Sequence, residues 1–159
     1  QMHVLQPNLD IVLIDETLSL LPKPFHHLEF IKGCPHHDQT LLKANIATAH
    51  TILITADKEK NESSADTQSI LNILTAKGLN PNIHCIAELL TSEQIQNATR
   101  AGVSEIIEGN KLTSYVFTAS LLFPSISGVL FSLYDEISDN KLQLMELPSS
   151  CTGQTFANC

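Results

Sequence analysis

Five short apolar runs bounded by polar residues are spaced along the chain. They occupy residues 10–15, 29–32, 51–55, 82–87 and 104–107. A continuous apolar run of this length is typical of a strand that is buried on both faces of a parallel sheet. The pattern therefore predicts five buried strands.

Segments with helical spacing lie between the later strands. They occupy residues 38–46, 66–77 and 91–102. The buried face predicted for the second segment carries Ile70, Ile73 and Leu74, and the predicted C-terminal cap is Gly78. The third segment is predicted to end at Gly102. Strands that alternate with helices predict parallel pairing through right-handed crossovers, which is the doubly wound α/β class. Loops are predicted at 16–27, where Pro22 and Pro24 interrupt a helix, and at 58–64.

The pattern changes after residue 107. Helices are predicted at 110–123 and 126–137, separated by Pro124, and a further strand at 142–147. The apolar stripe of the helix at 126–137 needs a surface to cover it. Two interpretations stay open, namely that it exchanges with or dimerises against another chain, or that it folds back on its own sheet.

Composition limits the partners of the chain. Nine Lys and Arg residues against seventeen Asp and Glu residues give a net charge of −8, which disfavours nucleic acid. No apolar run reaches the length of a membrane-spanning helix, and the first residues do not form a secretory signal. The four scattered cysteines favour a cytoplasmic location. Because both ends look cut, we expect the sequence to be part of a longer protein.

Ligands in an open parallel sheet bind beyond the carboxyl ends of the strands. The residues expected there are Asp15, Glu16, Gly33, Cys34, Pro35, Thr55, Ala56, Asp57, Glu88, Glu108 and Gly109. Asp15, at the tip of an apolar strand, is placed to accept hydrogen bonds from ribose hydroxyls. The alternative is that Asp15 only caps the next turn.

Two groups of residues suggest metal ligands. Asp57 and Glu88 could hold a hard cation such as Ca²⁺, although two carboxylates are few and solvated loop acids are the alternative. A second group, His26, His27 and the run from Cys34 to Asp38, carries the thiol and imidazole ligands that Zn²⁺ prefers. Its spacing matches no familiar closed site, so surface histidines remain the alternative.

The sequence offers little for nucleophilic catalysis. No G-x-S-x-G turn occurs in the chain. Cys34 is the one position where the N-terminus of a following helix would lower the pKa of a thiol. We therefore expect a protein that is not an enzyme.

The order of these segments resembles the N-terminal lobe of the RCK domain, also called the KTN or TrkA-N domain. The resemblance covers roughly residues 9–147. It rests on the ordered series 10–15, 30–35, 40–46, 49–55, 66–70, 82–88 and 101–107.

The resemblance implies a Rossmann-like lobe with its first strand missing at residues 1–124. It also implies a crossover helix and the start of a C-terminal lobe at 125–159. Members of the family dimerise and assemble as a cytoplasmic ring beneath the membrane pore of a potassium channel or transporter. Their ligands include adenine nucleotides, NAD(H) and divalent cations such as Ca²⁺.

The resemblance also assigns roles to single residues. Asp15 matches the ribose-binding acid, Cys34 and Pro35 match the segment near the base, and the turn at 55–56 faces the phosphates. Glu88 matches one carboxylate of a calcium site known in one branch. Leu90 stands where that branch has a second acid, and Thr55 replaces a third, which weighs against that calcium site.

Three functions follow as hypotheses. The first is a ligand-sensing domain that gates potassium flux through a change in ring geometry. The alternative is a nucleotide-dependent oxidoreductase of Rossmann fold, because the fold alone does not fix the function. The third is an oligomerisation module with a vestigial pocket.

Overall fold

A computed structural model describes residues 9–21, 25, 28–134 and 151, with only the backbone described at 133 and 134. The predicted strand at 142–147 and the pair His26 and His27 lie outside the described residues.

Five strands lie close to the five apolar runs. They are β1 (Val12–Asp15), β2 (Glu29–Lys32), β3 (Thr51–Ile54), β4 (His84–Leu89) and β5 (Glu105–Glu108). The pairs β1–β2, β3–β4 and β4–β5 are all parallel. The prediction of parallel strands is therefore confirmed.

Helices connect and follow the strands. They are α1 (Asp38–Lys43), α2 (Glu62–Leu79), α3 (Ile95–Arg100), α4 (Gly109–Leu122) and α5 (Ile126–Tyr134). Short 3-10 turns occur at Ile46–Thr48 and Ser92–Gln94. The alternation of strand and helix confirms the α/β class.

The described strands form two separate ladders. One has the order β2-β1 and the other the order β3-β4-β5. Doubly wound sheets commonly have the order 3-2-1-4-5-6. In that order β1 and β2 take the places of strands 2 and 3, and β3, β4 and β5 take the places of strands 4, 5 and 6. The place of strand 1 then lies between β1 and β3, where the two ladders are not hydrogen-bonded.

Two groups of buried residues form the core, and α2 contributes to both. Ile73 of α2 packs in the group that contains Cys85 and Leu89 of β4. Ala76 of α2 packs in the second group with Leu41 of α1. Partly buried residues of both ladders contact the second group, namely Ile14 of β1 and Ile52 of β3. The core therefore holds the two ladders together across the break in hydrogen bonding.

Burial on both faces was predicted for every strand, and this is wrong even for β4, which has the most buried residues of the five. Its residues Cys85, Ala87 and Leu89 are buried, whereas the residues between them are only half-buried. Leu53 and Ile107, on the neighbouring strands, are 49% and 43% exposed. Helices cover one face of this ladder more completely than the other, and no residue of α4 is buried.

The start of α2 differs from the prediction. The helix begins at Glu62, inside the segment 58–64 that was predicted to be a loop. Asn61 is the N-cap, and its side-chain oxygen accepts a hydrogen bond from the Ser64 N–H at 2.9 Å. Such a cap satisfies one of the free N–H groups of the first turn, which stabilises the earlier start.

The end and the buried face of α2 differ as well. Gly78 lies inside the helix and Asn80 is the C-cap, so the prediction of Gly78 as the cap is wrong. Leu74 was predicted to face the core, but half of its surface is exposed. The buried face is instead made of small and polar residues together with Ile73: Ala65, Asp66, Ser69, Asn72, Ile73 and Ala76.

The chain divides into two compact units. One comprises residues 8–117, and the other comprises 1–7 with 118–159. Cys34 and Cys85 in the first unit are free thiols, whereas Cys151 in the second is disulfide-bonded, which the scattered spacing did not predict. Within the part of the chain that is described, no helix combines the length and the apolar character needed to cross a membrane.

Candidate functional site

The carboxyl ends of the parallel strands bring several predicted residues to one edge. Asp15 and Lys32 are paired in register as the last residues of β1 and β2. The Gly33 N–H then donates to the Asp15 carbonyl oxygen at 3.0 Å, so the loop that carries Cys34 begins at the tip of β1. The strand ends therefore place Asp15 close to the β2–α1 loop.

Asp15 stabilises the turn that follows β1. Its Oδ1 accepts hydrogen bonds from the Leu18 N–H and the Thr17 N–H, each at 2.7 Å, and from the Thr17 hydroxyl at 2.8 Å. The bond from the Leu18 N–H, followed by that from the Thr17 hydroxyl, lowers the pKa of Asp15. Among the described residues, the hydrogen bonds of this turn all end on Oδ1 rather than Oδ2. Asp15 thus fills the capping role that the sequence left open.

Cys34 does not have the activated thiol that the sequence suggested. Burial raises the pKa of the Cys34 thiol, and the adjacent Glu16 carboxylate raises it further. A hydrogen bond from the His36 backbone N–H lowers the pKa, but by less than burial raises it. The following helix, α1, has six residues and provides little dipole. The expectation of a lowered thiol pKa at Cys34 is therefore wrong.

The turn after β3 is fixed by a side chain from β4. The buried Ala56 donates its N–H to Glu88 Oε2 at 3.1 Å, while Thr55 before it is exposed. Glu88 fits because residue 109 is a glycine: a Cβ there would lie 2.7 Å from Glu88 Oε1. Gly109 therefore allows Glu88 to hold the 55–56 turn in place.

Asp57 and Glu88, the predicted cation ligands, each pair with a lysine. Lys58 Nζ lies 3.3 Å from Glu88 Oε1, and Lys60 Nζ lies 3.2 Å from Asp57 Oδ2. Asp57 Oδ1 also accepts the Glu59 N–H at 3.0 Å. Neither carboxylate joins a group of three potential ligands in the part of the chain that the structure describes. A cation at these two acids remains a prediction.

Glu108, at the end of β5, is held by its own neighbours. Ser92 Oγ donates to Glu108 Oε2 at 2.6 Å, and Lys111 Nζ lies 3.0 Å from Oε1. The Ser92 hydroxyl, followed by Lys111, lowers the pKa of Glu108. This contact joins the end of β5 to the 3-10 turn before α3.

The β2–α1 loop gathers a group of metal-binding side chains. Ligand atoms of Cys34, His36 and His37 lie within 4.8 Å of one another, and among the described residues this is the only such group of three or more. Cys34 Sγ lies 3.0 Å from Nδ1 and 3.3 Å from Nε2 of His36. His36 and His37 also line a surface depression of about 420 Å³.

Asp66 is a buried carboxylate that the sequence did not single out. It is fully buried on α2 and accepts three hydrogen bonds, from the Leu90 N–H at 2.7 Å and from the N–H and hydroxyl of Thr91 at 2.9 and 2.6 Å. A buried acid at this point fixes the loop after β4. The sequence could not predict the burial of Asp66, because that depends on which side of α2 faces the core.

Comparison with known proteins identifies the family. Residues 6–87, about half of the chain, match the family described as the calcium-activated potassium channel slowpoke-like RCK domain. The chain belongs to the RCK domain family.

Two curated relatives of this RCK domain carry the names of potassium channels. YugO of Bacillus subtilis, named a potassium channel protein, is 36% identical over 158 residues, which is 96% of this chain and 46% of YugO. The calcium-gated potassium channel TvoK of Thermoplasma volcanium is 26% identical over 148 residues, covering 91% of this chain and 42% of TvoK. The chain thus spans less than half the length of each relative.

Solved structures confirm the fold. The human SLO3 gating ring matches with a TM-score of 0.65 and 20% identity over 89% of this chain and 27% of that chain. The TrkA-N domain of the Escherichia coli inner membrane protein ybaL matches with a TM-score of 0.63 and 14% identity, covering 76% of this chain and 84% of that one. GsuK bound to ADP matches with a TM-score of 0.55 and 15% identity over 67% of this chain and 26% of that chain.

Proposed function

We propose that this RCK domain senses a small molecule at the carboxyl ends of its strands and thereby gates potassium flux. The observation that carries the proposal is the position of Asp15, which lies at the tip of β1 beside the β2–α1 loop and leaves Oδ2 outside its turn. Ligands of doubly wound sheets bind at this edge.

The arrangement favours an adenine nucleotide or NAD(H) as the ligand. In the proposed complex, Asp15 Oδ2 accepts a hydrogen bond from a ribose hydroxyl, and Glu16 lies next to Asp15. Cys34 and Pro35, both half-buried, border the base. The exposed Thr55 and the turn at 55–57 face the phosphates, where Lys58 and Lys60 supply positive charge. GsuK, which shares the fold, is known in a form bound to ADP.

Calcium or another divalent cation is the second ligand class. Glu88 and Asp57 supply the carboxylate oxygens that Ca²⁺ requires, and the relative TvoK is named as calcium-gated. Binding there requires Lys58 and Lys60 to leave the two carboxylates, which adds an electrostatic cost. The nucleotide is therefore the better supported ligand.

The exposed apolar residues of α4 and α5 support a homodimer. Several large side chains are more than half exposed: Leu112, Tyr115, Phe117, Leu121, Leu122, Phe123, Val129 and Phe131. Apolar surface on this scale in one stretch of chain is typical of an interface. In the proposed assembly, residues 1–124 form the ligand-binding lobe, and 125–159 lead through the crossover helix into the C-terminal lobe.

Dimers of this kind build a ring on the cytoplasmic side of the membrane, attached to the pore domain of a potassium channel or transporter. Ligand binding favours one ring geometry by its differential affinity for the two states. The gating ring among the structural neighbours and the channel names of the relatives support this assembly.

Calorimetry on the full-length protein tests the ligand site. ADP, ATP, AMP, NADH and Ca²⁺ are titrated into the wild type and into Asp15→Asn. The asparagine can still accept the bonds of the turn at its Oδ1 but loses the charge that strengthens a bond from ribose. We expect nucleotide affinity to fall about tenfold.

Glu29→Gln is the matched control for Asp15→Asn. Glu29 is an exposed acid at the opposite end of the β1–β2 ladder, so its loss should leave nucleotide affinity unchanged. Equal nucleotide affinity in the wild type and Asp15→Asn would contradict the proposed site.

A further inference from the structure

The loop between β2 and α1 places one thiol and two imidazoles side by side. Cys34 and His36 are half-buried and His37 is exposed, so an ion has access from the solvent. We propose that Cys34, His36 and His37 hold a transition metal ion of the Zn²⁺ class. This site differs from the carboxylate pair Asp57 and Glu88 in both position and ligand type.

The spacing of the ligand atoms is close to what such an ion needs. Tetrahedral zinc with Zn–S of about 2.3 Å and Zn–N of about 2.0 Å requires S···N of roughly 3.6 Å and N···N of roughly 3.3 Å. Cys34 Sγ lies 3.3 Å from His36 Nε2, and the whole group lies within 4.8 Å. Because His37 is exposed, a side-chain rotation can close the remaining distance without moving the core.

Hydrogen bonds hold the backbone of this loop in place. The Gly33 N–H donates to the Asp15 carbonyl at 3.0 Å, and the His37 N–H donates to the Cys34 carbonyl at 3.1 Å. Thr75 Oγ1 on α2 donates to the His36 carbonyl at 3.2 Å. A preordered loop reduces the entropy lost when the ligands gather around an ion.

His36 is also held by a side chain of α2. The Gln68 side-chain amide on α2 is hydrogen-bonded to His36 Nδ1. The Gln68 amide N–H donates to Nδ1, and this contact holds the imidazole ring beside the thiol. Cys34 Sγ lies 3.0 Å from Nδ1 and 3.3 Å from Nε2, so both ring nitrogens lie close to the sulfur.

Three protein ligands leave the fourth position of a tetrahedral ion open to water or another small ligand. Each ion that binds releases the thiol proton to the solvent.

Helix capping does not explain the histidine at position 37. His37 is the N-cap of α1, but its side chain makes no capping hydrogen bond. Ser, Thr, Asp or Asn at this position would stabilise the helix better. The proposed metal site gives this side chain a role that the fold alone does not.

Cobalt binding to the metal-free full-length protein tests this site. Co²⁺ takes the same ligands as Zn²⁺ and gives a thiolate charge-transfer band in the near ultraviolet when sulfur is bound. We expect one ion per chain with this band in the wild type and no band in Cys34→Ser. His37→Ala, which changes an exposed residue, should weaken binding by at least about tenfold.

Two variants serve as controls. Cys85→Ala removes the other free thiol of the first unit and should retain the band. His84→Ala removes an exposed histidine outside the loop and should retain the affinity. The absence of a thiolate band in the wild type, or its survival in Cys34→Ser, would overturn the proposal. Nucleotide affinity is measured separately in the same proteins, so the failure of one site is distinguishable from the failure of the other.

Discussion

Asp66 is the residue on which the loop after β4 depends most. Its carboxylate is fully buried and ties α2 to three donors of Leu90 and Thr91. A buried carboxylate is costly unless it is hydrogen-bonded, and here both oxygens accept. This contact fixes the point at which the chain leaves β4, next to the proposed site.

Replacement of Asp66 by alanine should strongly destabilise the protein. Two backbone N–H groups and one hydroxyl lose their partner at a buried position. We expect the free energy of unfolding to fall by about 3 kcal/mol or more. Urea denaturation measures the change. Glu59→Ala, at an exposed acid, should change it by less than about 0.5 kcal/mol, and equal effects of the two variants would contradict the role of Asp66.

Single residues differ in how well the sequence predicts their roles. Asp15 could be singled out because the end of a strongly apolar strand is visible in the sequence. Asp66 could not, because its burial depends on which face of α2 points inward. Ile70 and Leu74 suggested one phase, whereas the buried face carries the polar residues Ser69 and Asn72.

At the level of elements, the strands were easier to predict than the helix ends. Each strand is short and dense in apolar residues, so the sequence predicts its ends to within about two residues. The ends of α2 depend instead on caps. Asn61 starts the helix, and Asn80, rather than Gly78, ends it. Side-chain caps compete with glycine as stop signals, and the sequence does not show which one the helix uses.

The two glycines Gly78 and Gly102 provide a matched test of these helix ends. Gly102 has φ of +91°, which disfavours any side chain, although the space around it is open enough for a Cβ. Gly102→Ala should therefore lower the free energy of unfolding by about 1 kcal/mol.

Gly78→Ala should have the opposite effect. Gly78 lies inside α2, and a Cβ at this position would be at least 4 Å from every atom outside its own stretch of helix. Alanine there should raise the free energy of unfolding by about 0.5 to 1 kcal/mol. Thermal or urea unfolding measures both variants. A loss of stability in Gly78→Ala would mean that α2 ends at Gly78, as the sequence first suggested.

On the scale of the whole molecule, the sequence predicted parallel pairing but not the extent of burial. Alternating strands and helices imply parallel pairs whatever covers them. Whether Leu53 and Ile107 are covered depends on elements outside the local pattern, so exposure on that face could not be predicted from apolar runs. The same holds for α4, which has no buried residue and exposes most of its large apolar side chains.

The proposed dimer predicts that a charged residue introduced on α4 weakens the assembly. Leu121 is 84% exposed, and Leu121→Glu would place a charge in the proposed interface. Sedimentation of the full-length protein should then show a shift towards smaller assemblies. Leu20→Glu, at a leucine that is 82% exposed outside the helices, should leave the assembly unchanged. An unchanged mass for Leu121→Glu would exclude α4 from the interface.

Potassium flux into vesicles that contain the full-length protein tests the central claim most directly. ADP and NADH are added on the side of the RCK domain, and flux is recorded for the wild type, Asp15→Asn and Glu29→Gln. We expect flux to change with nucleotide concentration, with the midpoint about tenfold higher in Asp15→Asn and unchanged in Glu29→Gln. Potassium flux that does not change with nucleotide concentration would contradict the claim that the domain senses its ligand. Consumption of NADH by hydride transfer would contradict the claim that the domain does not convert it.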